Sequence, residues 1–95
     1  MIEYSVNGDL HSFEDCNIFY RDLSELVDEH DEITLDLNLT HIFSSTAAGR
    51  MVSIQQKIEE TSKKINVINV HKPVKTILKE VGLISELKNF HFEKL

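Results

Sequence analysis

Between Ile33 and Gly49 the chain changes its period once, and that change restricts the fold more than any other stretch. Ile33-Thr34-Leu35-Asp36-Leu37 reads as a buried strand. A short connection leads to Ser44-Ser45-Thr46, after which Ala47, Ala48, Met51, Val52, Ile54 (or Gln55) and Ile58 fall at helical spacing. A strand that feeds directly into an amphipathic helix is half of a βαβ unit, so the flanking segments decide whether a parallel sheet can be built.

They supply the rest. Ile2, Tyr4 and Val6 alternate with Glu3 and Ser5, predicting a half-buried strand over residues 2–7, and Asn7-Gly8-Asp9 is turn chemistry. Ser12 with Asp15 three residues on resembles a capping arrangement. Phe13, Cys16, Phe19 (or Tyr20), Leu23, Leu26 and Val27 follow as one face of a helix of about four turns, ending around Glu29-His30-Asp31. The second helix should dissolve at residues 61–64. Ile65, Val67, Ile68 and Val70 form a β-branched run that predicts a second buried strand. Pro73 at its favoured first position opens a third helix, Val74, Ile77, Leu78 and Val81 form its inner face, and Gly82 closes it. The tail from Leu83 holds Ile84, Leu87 and a short strand or helical turn near Phe90-His91-Phe92. The order strand, helix, strand, helix, strand, helix predicts one α/β domain over residues 1–95 with right-handed crossovers.

Composition narrows the function. Ninety-five residues, 41% hydrophobic and 27% charged, suit one globular core. A formal charge of -6 argues against non-specific nucleic-acid binding, which needs lysine and arginine against phosphate. The acidity gathers in the first half and most lysines in the second. The lone Cys16 has no partner for an internal disulfide, and no basic, apolar leader or spanning segment is visible, so a cytoplasmic location without membrane insertion is expected. Gly8, Gly49 and Gly82 are too scattered for a phosphate-cradling loop, and His11, His30, His41, His71 and His91 stand apart from one another. No catalytic residues, no metal site and no cofactor are expected.

The hydroxyl cluster is the one candidate site. Ser44 or Ser45 caps the helix that follows. A cap requires one hydroxyl and three are present, at a helix end where free amides and the macrodipole favour an anion. A phosphate on Ser45 would therefore be tolerated by the fold while adding about -1.5 to -2 charges. Ala47 and Gly49 are expected to pack closely at the start of the helix.

These segments resemble the STAS domain of the anti-sigma factor antagonists, or anti-anti-sigma factors. The family's strand, fixed-length loop and Asp-Ser-Ser/Thr-Gly are matched by Leu35-Asp36-Leu37, Asn38 through Phe43, and Ser44-Ser45-Thr46-Ala47, with Gly49 two positions on. Val70-His71-Lys72-Pro73-Val74 is similar to the family's strand-to-helix turn, Val81-Gly82-Leu83 to the close of its third helix, and Gly8-Asp9-Leu10 to its Gly-Glu/Asp-Leu. The likeness spans about residues 2 to 92, with the family's first strand shortened or absent. Ser44 replaces the family's Asp, and Ala47 its glycine.

The resemblance implies a STAS-like α/β fold, a central mostly parallel mixed sheet of about four strands carrying helices. It implies a non-catalytic protein that works by partner switching: a serine-kinase anti-sigma factor binds and phosphorylates it, and a phosphatase restores it. It further implies Ser45 as the phosphoacceptor, with Ser44 and Thr46 the lesser candidates, on a partner-binding surface of Ser44, Ser45, Thr46, Ala47, Gly49 and Arg50. The alternative is a STAS-type interaction subunit of a transport complex, a sensory complex or a cyclase-regulating assembly.

Overall fold

Apolar residues that alternate along each strand meet in register across the sheet. In the computed structural model, which describes residues 2–80 and 82–93, Ile2, Ile33, Ile65 and Phe90 form one row and Tyr4, Leu35, Val67 and Phe92 the next. The strands are β1 (Ile2–Ser5), β2 (Glu32–Asp36), β3 (Lys64–Ile68) and β4 (Phe90–Phe92), in spatial order β1-β2-β3-β4. All three pairings are parallel, so the sheet expected to be mixed contains no antiparallel strand among the described residues. The strand before Gly8 is short but present, at one edge of the sheet.

Three helices connect the strands: α1 (Phe13–Glu29), α2 (Ser45–Ile58) and α3 (Lys72–Glu80). Because each strand neighbours the next in sequence, right-handed crossovers bring every helix back onto one face. That face carries the apolar rows, and Cys16, Phe19, Leu23, Val27, Met51, Ile54, Val74 and Leu78 close the core over them. The opposite face presents Glu3, Thr34, Asn66 and His91 in one row and has no helix over it among the described residues.

Local signals explain most boundaries. Ser12 Oγ accepts the Asp15 amide at 3.0 Å and starts α1 as expected. The Gly82 amide bonds to the Lys79 carbonyl and the Leu83 amide to that of Leu78, with Gly82 at φ 66°, a paired closure that only a left-handed residue permits. Val81 lies outside the described residues. The β-branched run expected to reach Val70 stops at Ile68, because Asn69 turns left-handed at φ 56° and gives its side-chain amide to Asp36 at 3.0 Å. Helix α2 likewise ends at Ile58, where the Thr61 hydroxyl and amide both return to the Ile58 carbonyl. Phe13, expected on the inner face of α1, is 68% exposed: it is the first helical residue and lies under the Arg50 guanidinium, 5.5 Å from its ring centroid.

Candidate functional site

Residues 37–44, between β2 and α2, are fixed by the turn that follows β1. Asp9 Oδ1 accepts the amides of His41 at 2.8 Å and Ile42 at 3.0 Å. Those two bonds, His41 first, hold its carboxyl below the usual carboxylate range, so the clamp is ionised at neutral pH. The buried Thr40 hydroxyl donates to the Gly8 carbonyl at 2.8 Å. Leu10 and Phe43 then form a parallel bridge, with Leu10 N–H on the Ile42 carbonyl and Ser44 N–H on the Leu10 carbonyl, both 2.9 Å. Gly8-Asp9-Leu10 is thus the device that sets the loop. Sequence reading recognised the triplet without seeing what Asp9 and Thr40 do.

The loop delivers three hydroxyls to two different environments. Ser44 is the N-cap: its backbone is extended, its Oγ accepts the Ala47 amide at 3.2 Å, and its carbonyl takes the Ala48 amide. The same Oγ lies 3.5 Å from the Cys16 thiol, so it is tied to α1 as well. Ser45 and Thr46, the first two residues of α2, are exposed. Their amides belong to the first turn and have no intrahelical carbonyl to bond, which leaves donors aimed outward beside the Ser45 side chain.

The other expected members of this surface divide. Ala47 is 0% exposed; its methyl group belongs to the core, so it cannot touch a partner. Gly49 is exposed, and a Cβ built on it would meet nothing within 4 Å, so the close packing expected there is absent. Arg50 turns toward α1: it donates to Asn17 Oδ1 and covers the rings of Phe13 and Tyr20. It is therefore committed to α1, and its Nε is buried without a partner.

Apolar surface borders the hydroxyls. Leu39 and Ile42, on the preceding loop, are 53% and 51% exposed. Ile42 and Phe43 also form one wall of a largely apolar groove of about 510 Å³, and Pro73, Thr76 and Ile77 of α3 form the other. The His41 and His71 rings, isolated in sequence, stack with centroids 4.2 Å apart, and His71 Nε2 bonds the Asn38 carbonyl at 2.6 Å. Among the described residues no three His, Cys, Asp or Glu side chains converge as a metal site would require. No helix among them is long and apolar enough to cross a membrane.

No protein-family model and no curated protein matches the chain. A solved structure does: the sulfate transporter family protein from Wolinella succinogenes is similar over 96% of this chain and 75% of that one, at TM-score 0.74 and 16% identity. At that identity the likeness establishes the fold alone, and the fold is the STAS-like α/β arrangement that the motifs implied.

Proposed function

We propose that this chain is a non-catalytic regulatory protein, an anti-sigma factor antagonist that acts by phosphorylation-controlled partner switching. One observation carries the reading: Ser45 stands exposed at the first position of α2, while its neighbour Ser44 alone does the capping. The fold does not need the Ser45 hydroxyl, so it is free to accept a phosphoryl group. The outward amides of the first turn lower the cost of that charge to the folded state. A docked partner feels the opposite effect, since about two negative charges enter an interface containing Leu39 and Ile42 and must be desolvated there.

The partner would be a serine-kinase anti-sigma factor, with a phosphatase resetting the switch. Incubation with such a kinase and ATP should add about 80 Da, one phosphoryl group, by intact mass. Ser45→Ala should abolish the gain, and Ser45→Asp should keep the fold while weakening capture of the kinase. Labelling that persists in Ser45→Ala would move the acceptor to Ser44 or Thr46.

A second reading has its own support. The structural neighbour is a sulfate transporter family protein, and here Ser44 stands where the antagonists carry Asp beside the acceptor. In that case the same surface docks a subunit of a transport assembly without phosphorylation. Co-purification with transporter subunits, unchanged by Ser45→Asp, would select this reading over the switch.

A further inference from the structure

We infer that the groove between the β2–α2 loop and α3 docks an acidic, amphipathic segment of a protein partner. Apolar side chains enter the groove and carboxylates meet Lys72 and Lys79 of α3. The inference rests on reading this end of the molecule as a docking surface, and it does not require phosphorylation of Ser45.

The groove has the chemistry of a binding site. Its volume of about 510 Å³ falls within the roughly 300–1,000 Å³ typical of ligand pockets, and its lining is mostly carbon. Ile42 is half exposed on one wall, with Pro73 and Ile77 facing it across the groove. A concave apolar lining of this kind suits an occupant that brings its own apolar side chains.

Charge selects the occupant. Lys72 lines the groove, and Lys79 lies seven residues on, two turns along the same face of α3 and about 10 Å away. Both are exposed, and no described carboxylate lies within ion-pair distance of either. Arg21, Lys57, Lys63 and Lys64, by contrast, are each paired, with Asp22, Asp28, Asp31 and Glu32. The stacked His41 and His71 rings stand at the same end of the molecule, and the nearby Asp9 carboxylate is spent on the His41 and Ile42 amides. Elsewhere the surface repels an acidic visitor: eleven of the sixteen carboxylates fall in residues 1–36, against one basic residue there, Arg21. An acidic segment is thus drawn to α3 and turned away from α1, which fixes where it docks.

The test titrates ¹⁵N-labelled protein with a synthetic peptide of about twelve residues, three helical turns, in which Glu and Leu follow an amphipathic order. A Lys/Leu peptide of the same pattern serves as control. Amide shifts should move at residues 41–43 and 72–79, and affinity should fall by about tenfold or more between roughly 50 and 500 mM salt. The double variant Lys72→Glu, Lys79→Glu, checked as folded by its own amide spectrum, should lose about tenfold or more in affinity.

Shifts at another face, equal binding of the Lys/Leu peptide, unchanged binding by the double variant or no binding at millimolar peptide would each overturn the proposal. So would capture by phosphatidylserine vesicles through the same lysines when the peptide does not bind, or salt-sensitive self-association through them. Ser45 separates this proposal from the switch. Peptide binding together with no phosphoryl gain on the chain leaves the groove standing and the switch refuted, and the converse result refutes the groove alone.

Discussion

At the scale of single residues, the site is defined by which polar atom each side chain serves. Asp9 serves two amides, and its consequence is a pH dependence of known sign. Its folded pKa lies below the ordinary 3.8, so the stabilisation it gives is fully present above that value. It is lost as the pH falls through the folded value. Asp9→Asn should therefore lower the urea midpoint by a constant amount above about pH 4, with the gap closing at more acid pH. A gap that persists unchanged to about pH 2 would mean that the carboxylate charge is not what holds residues 41 and 42. The adjacent serines offer a sharper contrast. Ser44→Ala removes the cap on the Ala47 amide and should cost about 1 kcal/mol by denaturant titration, whereas Ser45→Ala should stay within about 0.5 kcal/mol. Sequence left the cap open between Ser44 and Ser45 because either hydroxyl could serve. The backbone decides, since Ser44 is extended and the Leu10 bridge sets it there. The His41–His71 stack was invisible for a related reason. Residues thirty apart meet only once β2 and β3 are paired, and neither carries a local signal of the other.

At the scale of elements, the alternation of periods carried the fold, and what it could not carry were the joins. The strands were legible because apolar residues two apart must share a face, and the parallel register then lines those faces up. The packing of helix on helix was not. Sequence treated Ala47 and Gly49 alike as small residues at a crowded helix start, yet only Ala47 is enclosed. Ala47→Leu should destabilise by about 1–3 kcal/mol through overpacking of the core. Gly49→Ala should instead stabilise by about 0.5–1 kcal/mol, because a methyl group fits there and the unfolded chain loses freedom. Thermal unfolding of the two variants reads both signs, and destabilisation by Gly49→Ala would contradict the open geometry. Another join hidden from sequence is made by amides. The buried Gln55 exchanges two hydrogen bonds with Asn89, its Nε2 on the Asn89 Oδ1 and its Oε1 taking the Asn89 amide, both 2.8 Å. Asn89 Nδ2 also donates to the Ile58 and Lys63 carbonyls, tying the end of α2 and the start of β3 to the entry of β4. Asn89→Ala strands several of these groups at once and should cost about 2 kcal/mol or more.

At the scale of the whole molecule, the distribution of charge matters more than its sum. The chain is small, with a radius of gyration of 11.9 Å and extents of 29 × 25 × 21 Å, so its opposite ends lie only about three to four Debye lengths apart at physiological salt, where that length is about 8 Å. Residues 1–36 hold eleven acids against Arg21, and six of those acids lie on α1: Glu14, Asp15, Asp22, Glu25, Asp28 and Glu29. Among the described residues Asp28 alone of these six is paired across to another helix, with Lys57 at 2.8 Å. Exposed pairs of this kind contribute roughly 0–1 kcal/mol each, and salt weakens them. Salt also weakens the repulsion among the other carboxylates of α1, of which only Asp22, beside Arg21, has a described cation within ion-pair distance. Repulsion outnumbers attraction, so raising the salt from about 10 to 150 mM should raise the melting temperature by a few degrees, while the same change weakens an acidic partner's hold on Lys72 and Lys79. Stability and docking should thus respond to salt with opposite signs, because the first is limited by the acidic end of the chain and the second is driven by the basic one. A melting temperature that falls with salt would show instead that the paired lysines, Lys57, Lys63 and Lys64, dominate the electrostatics of the fold.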